Sequence, residues 1–296
     1  MASKGNKSYI WWLVALLIGS FLVISLFSVS PPEGCVGIVE IKGPIIYDDV
    51  RASLFFDEIR GAKSIAQDIM SANERKDVKA VLVLIDSPGG SVVASTEIYD
   101  ALSSLNKTKV AHINEIGTSG AYLIATATDY IIANPNAITG SIGARMSFAD
   151  MSRLFEKIGY NETVIKTGEM KDIGSPARPM SKEEYGVLYS LLNESFSQFV
   201  EAIRKGRGER LNEVLFEQVL DARILSGRQA KNVGLVDELG KRDDALRKAG
   251  ELAGLKGEPR ECMLSSTIKR RSMFGSLVSQ LEYYVKSKSL PQLSYS

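Results

Sequence analysis

Residues 78–85, VKAVLVLI, constrain the chain more than any other stretch. They form a near-continuous apolar run rich in β-branched side chains, with no polar face to offer to water. Such a strand is buried on both sides, as in parallel sheets covered by helices. The surrounding segments agree. A strand is expected over 36–41, closed by Gly43-Pro44, and a helix over 64–71. After Asp86-Ser87-Pro88-Gly89-Gly90 the pattern turns helical through 91–105, extended at 110–113, helical at 120–128 and extended again at 130–132. Repeated strand-turn-helix units favour right-handed crossovers and a mostly parallel sheet, with the active site at the C-terminal ends of the strands. Ser181-Lys182-Glu183-Glu184 has the form of a capping box that opens a long amphipathic helix ending at Arg204-Lys205-Gly206-Arg207-Gly208. Helical stretches follow at 211–219 and 243–252. Residues 268–284 carry basic residues and then an apolar stripe, which reads as a last helix on its own domain or a segment that docks on another surface.

Ahead of this domain, residues 10–29 contain no charge, and about twenty such residues cross a hydrocarbon core as a helix. Trp11 and Trp12 stand where aromatic rings favour the headgroup layer. Lys4 and Lys7 precede the run and Glu33 follows it, so the N-terminus is expected in the cytoplasm and the bulk of the chain outside. Ser28-Val29-Ser30 would pass as a signal-cleavage site, but Pro31-Pro32 disfavours cleavage there and the run is long for a signal sequence. A retained anchor is the expectation.

The formal net charge of +1 gives no global field to draw nucleic acid or anionic lipid. Cys35 and Cys262 are the two cysteines and have no ligand-like spacing, which argues against a structural zinc site. They bridge if the domain is extracytoplasmic, or sit as two idle thiols.

Three glycine-containing turns each follow an apolar strand: 86–90, Gly117-Thr118-Ser119-Gly120-Ala121, and Thr139-Gly140-Ser141-Ile142-Gly143. Glycine allows backbone angles and close approaches by which several turns can aim amide hydrogens at one point. Ser119 lies between strand and helix and is followed by two small residues, so the Gly120 amide would face an oxyanion at a helix start. By itself this is also the setting of a helix cap. A serine nucleophile needs a base. The sole histidine, His112, sits in the strand leading to Ser119, too far along an extended chain to serve, and reads as a core or strand-face residue. The base is then a lysine, which loses its proton readily when desolvated, or the chain is no hydrolase. Ser104-x-x-Lys107 and Ser266-x-x-Lys269 match a short, common pattern but have no glycine turn beside them. Lys171 lies in a Gly/Pro-rich stretch before the long helix, where a loop could fold it inward, or leave it an exposed loop lysine.

Asp86-Ser87-Pro88-Gly89-Gly90-Ser91, Thr118-Ser119-Gly120-Ala121-Tyr122, Ala133-Asn134-Pro135 with Thr139-Gly140-Ser141-Ile142-Gly143, Lys171-Asp172-Ile173, Ser226-Gly227-Arg228-Gln229-Ala230 and Gly234-Leu235-Val236-Asp237 occur in that order. Together they resemble the signal peptide peptidase A family, a Ser/Lys branch of the Clp/crotonase-like fold, over residues 36–252. The resemblance implies an α/β fold of repeated ββα units with a mostly parallel sheet, preceded by one transmembrane helix. The layout is then a cytoplasmic N-terminus (1–9), an anchor (10–30), a protease domain (31–255) and a C-terminal tail (256–296). It implies Ser119 as nucleophile, Lys171 as general base, Ser141 as the hydroxyl that orients the lysine, and Gly89 and Gly120 as the oxyanion amides, with Gly90 as the substitute for Gly89. No cofactor, metal or nucleic acid is expected. The partners are peptide substrates such as signal peptide remnants, the membrane through the N-terminal helix, and further copies in a homo-oligomeric ring, where a neighbour contributes residues or a C-terminal tail. Two other readings stand beside this one: an acyl-CoA hydratase-like enzyme on the same fold, and a non-catalytic scaffold for stomatin-like membrane proteins.

Overall fold

A computed structural model of the chain describes residues 34–51, 58–264 and 294–295. The apolar run at 10–29 and the segment at 268–284 lie outside them. Among the described residues, no helix is long and apolar enough to cross a membrane.

In chain order the elements are β1 (Cys35–Lys42), α1 (Ala62–Glu74), β2 (Val78–Ser87), β3 (Gly90–Ser91), α2 (Val92–Ser103), β4 (Thr108–Thr118), α3 (Gly120–Thr126), β5 (Tyr130–Ala133) and β6 (Ile138–Gly140). They continue with α4 (Ser152–Ile158), a 3-10 turn (Glu169–Asp172), α5 (Lys182–Arg207), a second 3-10 turn (Gly208–Arg210), α6 (Glu213–Glu217), β7 (Ile224–Ser226) and α7 (Gly227–Val233). Last come β8 (Glu238–Leu239), α8 (Arg242–Leu252), β9 (Glu261–Met263) and β10 (Ser294–Tyr295). The main sheet runs β7-β6-β4-β2-β1-β9, with β5 beside β4 and β8 beside β5. All its pairs are parallel except β6 with β7. The mixed α/β architecture and mostly parallel sheet expected from the sequence are present. The expected ββα order occurs in β2-β3-α2 and β5-β6-α4, whereas β1-α1 and β4-α3 pass from a strand to a helix without a second strand between.

Alternation along the strands explains the two layers. Val39, Ile41, Val81, Val83, Ile85, Ala111 and Ile113 face the larger core, with α1, α2, α3 and the C-terminal half of α5. Val36, Ile38, Ala80, Leu82, Val110 and Ile132 face Ala245 and Ala249 of α8. That double burial is why β2 carries no polar stripe.

β4 is longer than its sequence signal and serves two neighbours in succession. Residues 110–113 pair with β5, and residues 116–118 with β6. The switch occurs where the register against β2 shifts between Ile85 and Ser87. Asp86 fills that irregularity, its carboxylate accepting from Ile116 N (3.1 Å) and Asn114 Nδ2 (3.2 Å). A bulge of this kind bends a strand and re-aims the residues after it. In β4 those residues lead straight into Ser119.

β9 lies beyond the boundary at 255 expected for the protease domain. It pairs with β1, and Leu264 packs against Gly37, where a Cβ would come within 2.8 Å of Leu264 Cδ1. Cys262 is bonded to Cys35 across 227 residues of sequence, with Cα atoms 5.9 Å apart. The two cysteines left open by the sequence are therefore a bridge, of the kind that adds about 2–5 kcal/mol to a domain largely by restricting its unfolded chain.

Candidate active site

The nucleophile turn is built from strain and close approach. Ser119 has φ 56° and ψ −126°, a backbone conformation that residues with a Cβ rarely adopt. Its amide donates to Gly140 O at 2.8 Å, and its carbonyl accepts from Leu123 N at 3.0 Å, so α3 springs directly from it. Its side chain does not cap that helix. Ser119 is fully buried, and its Oγ is the one buried side-chain polar atom among the described residues without a hydrogen-bond partner. Leaving a buried hydroxyl unpaired costs about 1–3 kcal/mol, a cost native structures accept where a group is held ready for another. The cap reading of Ser119 is thereby excluded.

The 86–91 turn closes on the same point. Gly89 has φ 92°, and a Cβ there would lie 2.9 Å from Gly120 N and from Ser119 Cβ. Gly90 approaches even more tightly on its other side, where a Cβ would stand 2.1 Å from Ile45 O. Two threonines stitch the turns together: Thr118 Oγ1 donates to Pro88 O (3.1 Å) and Thr139 Oγ1 to Gly117 O (2.7 Å). The Gly89 amide donates to the buried Ser87 Oγ at 3.1 Å. Gly90 N lies 3.6 Å from where a Gly120 Cβ would be. The Gly89 N–H is thus engaged by Ser87, and the Gly90 amide also lies near the Gly120 turn.

β3, which contains Gly90, has Ile45 on one side, with Ile45 N donating to Gly89 O and Ser91 N to Ile45 O, both at 2.9 Å. On its other side β10 pairs antiparallel, Ser294 opposite Ser91 and Tyr295 opposite Gly90. The strand beside the nucleophile thus accepts an extended segment as a neighbour.

Ser141 follows Gly140, the residue that receives the Ser119 amide, and has φ 52°. The fold therefore brings it beside the nucleophile turn. His112 is not brought there. It lies on the sheet face covered by α8, buried, with Nε2 3.4 Å from Gly240 O, and desolvation pushes its pKa below the ordinary value.

Lys171 makes no hydrogen bond to Ser119. It sits in the 3-10 turn at Glu169–Asp172, is exposed, and makes no side-chain hydrogen bond or ion pair among the described residues. The turn is fixed to the start of α5. Arg178 donates to Asp172 Oδ1 (2.7 Å) and Oδ2 (3.1 Å) and to Glu184 Oε1 (2.5 Å) and Oε2 (2.8 Å), while Lys166 Nζ reaches Asp172 Oδ1 at 2.5 Å. Glu184 also closes the capping box with Ser181 (2.9 and 3.1 Å). From Glu184 to Phe199, where α5 enters the core, the helix rises about 22 Å. The first half of α5 and the segment before it form an arm that displays Leu154, Ile158, Ile165, Tyr185, Tyr189 and Leu191. Of the lysines here, Lys166 is engaged by Asp172, whereas Lys171, like Lys157 and Lys182, has no hydrogen-bond or ion-pair partner among the described residues.

Arg178, which no motif marks, holds both the Asp172 and Glu184 carboxyls well below the usual carboxylate range. Carboxylates with depressed pKa stay ionised in the folded protein well below about pH 4; the network's contribution to stability is fully present above about pH 4 and is lost as pH falls toward the folded-state value, about 2 for Glu184. Arg178→Gln is expected to lower kcat/KM at least about tenfold by misplacing Lys171. The thermal transition of the sheet domain should stay close to wild type, checked by circular dichroism beside a peptidase assay.

A family model described as peptidase family S49 matches residues 101–256. The chain belongs to that family. Among relatives of this S49 peptidase, one named as a protease in Synechocystis sp. is 42% identical over 197 residues, covering 66% of this chain and 70% of that one. One named as a protease in Methanocaldococcus jannaschii is 43% identical over 180 residues, covering 60% and 57%. One named as a signal peptide peptidase in Enterococcus faecium is 33% identical over 205 residues, covering 68% and 59%. The chain thus spans less than two thirds of two of these three relatives. The chain belongs with these relatives to the signal peptide peptidase A family, and the matched span holds Ser119, Ser141 and Lys171 but begins after the Gly89-Gly90 turn.

Proposed function

We propose that this serine protease works with a Ser119/Lys171 dyad completed between copies of the chain, and that it cleaves extended apolar peptides outside the cytoplasmic face of a membrane. The buried, strained and unpartnered Ser119 Oγ carries the reading. Among the described residues, Ser119 Oγ has no hydrogen-bond partner that could act as its base, and the Lys171 side chain has none that it could serve. The apolar arm that bears Lys171 is a surface for packing on a neighbour. A lysine serves as a base only out of water, and that packing supplies the desolvation.

In the proposed mechanism a peptide lies antiparallel along Gly90–Ser91, in the manner of β10. The partner subunit's Lys171, oriented by Ser141, takes the Ser119 proton, and Oγ attacks the scissile carbonyl. Amides of Gly120 and of the Gly89–Gly90 turn hold the oxyanion. The tetrahedral intermediate collapses as the lysine returns the proton to the leaving amine, and water then releases the acyl group by the same route. The bridge between Cys35 and Cys262 fits an oxidising, extracytoplasmic location, and the uncharged run at 10–29 fits an anchor with its N-terminus inside. Signal peptide remnants are substrates of matching chemistry and location.

The test is a fluorophosphonate probe on the assembled full-length protein. Label found on Ser119, and abolished by Lys171→Ala, supports the dyad. Label that persists in Lys171→Ala removes Lys171 from the mechanism, and no label on wild type favours a scaffold.

A further inference from the structure

Three residues other than glycine have positive φ among the described residues: Ser119 (56°), Ser141 (52°) and Ala222 (63°). The first two belong to the proposed site. The third is joined to them through the backbone. Ser119 N donates to Gly140 O (2.8 Å), and the next amide along, Ser141 N, donates to Arg223 O (2.9 Å). β6 and β7 pair antiparallel at this place, with Gly140 opposite Ile224. Contact continues at the next turn, where a Cβ on Gly143 would come within 2.9 Å of Ala222 Cβ, and one on Gly140 would come within 3.1 Å of Arg223 O.

Ala222 is held in its conformation by the residues on either side. Arg223 N donates to Asp221 Oδ1 (3.1 Å), Arg223 Nε to Oδ1 and Oδ2 (2.8 and 3.0 Å) and Nη2 to Oδ2 (2.7 Å). Both side chains are more than half exposed, so this clamp contributes little to the hydrophobic core. An exposed ion pair is ordinarily a weak stabiliser. Here it spans a single residue in the left-handed region and fixes the direction of the carbonyl that receives Ser141.

We propose that the turn Asp221-Ala222-Arg223 is a positioning element for the reaction: through the Arg223 carbonyl it sets the Ser141 backbone, and through Gly140 the nucleophile. It touches neither substrate nor reacting atoms. Its effect falls on the orientation of Ser141 toward the incoming lysine, and therefore on turnover rather than on peptide binding, which uses β3. The inference rests on the reading of Ser119, Ser141 and Lys171 as the catalytic set.

The test uses the full-length assembled protein and three variants. Asp221→Ala removes the clamp. Ala222→Val places a β-branched residue where φ 63° disfavours it, and Ala222→Gly keeps the conformation open. The first two are expected to lose about tenfold or more in kcat, with KM within about twofold and the melting temperature nearly unchanged. The acid limb of their pH profile should move, since it reports the state of the base. Ala222→Gly should keep wild-type turnover. Wild-type kcat in Asp221→Ala and Ala222→Val overturns the proposal, and so does a loss that only follows the fraction of folded protein. A wild-type protein that fluorophosphonate does not label at Ser119 overturns the underlying dyad and this inference with it, whereas a labelled wild type with unaffected variants overturns the inference alone.

Discussion

Co-expressed in equal amounts, Ser119→Ala and Lys171→Ala chains should regain about a quarter of wild-type turnover per site, although each alone is inactive. The reasoning is combinatorial. A working site needs an intact Ser119 from one copy and an intact Lys171 from the next, and random assortment of two variants brings these together about one time in four. The geometry motivates it: Ser119 Oγ has no partner, and Lys171 is exposed on an arm whose helix rises about 22 Å before it meets the core. Each variant alone should lose most of its activity, because nucleophile and base act as a unit whose members are not additive. Turnover of peptide by the purified mixed assembly is the measurement. No recovery above the single variants would place both members of the dyad in one chain, or require a different base.

Gly90→Ala should lower kcat by about 10²–10³, the loss typical of a displaced oxyanion donor. An added Cβ would stand 2.1 Å from Ile45 O, 2.7 Å from Ile45 N and 2.8 Å from Ile45 C. These are backbone atoms tied into the bridge between Ile45 and β3, so neither side can step aside by changing a rotamer. β3 must shift, taking the Gly90 amide and the peptide-binding edge with it. Overpacking of this kind costs about 1–3 kcal/mol of stability, which leaves a folded protein for assay. Steady-state kinetics beside a denaturation curve checks both halves, and an unaltered kcat would remove Gly90 from the oxyanion site.

The strands and helices of the core were legible because burial on both faces leaves an unmistakable pattern, as in 78–85, and because Ser181 and Glu184 announce the start of α5. β6, β7 and β9 were not, since each has three residues, too few for any period to appear. The bend of β4 is decided by Asp86 filling a register shift, a tertiary event with no local signature. At the site, Ser119 could be reasoned from its strand-turn-helix setting, although only the unpartnered Oγ separates a nucleophile from a helix cap. Lys171 came through resemblance. Local sequence allowed an inward-folding loop, and the fold shows an exposed turn held by Arg178, whose role depends on Asp172 and Glu184 meeting it from opposite sides. The Asp221–Arg223 turn likewise acquires its meaning only when β7 lies against β6.

The bridge between Cys35 and Cys262 makes residues 35–262 a closed ring of chain, joined where β1 lies beside β9. A pull applied to Cys35 and Cys262 from outside the ring runs through a covalent sulfur link and bypasses the sheet. Tension alone cannot then unravel β1, β2 and β4. The domain yields to force only after a reductant has opened the ring.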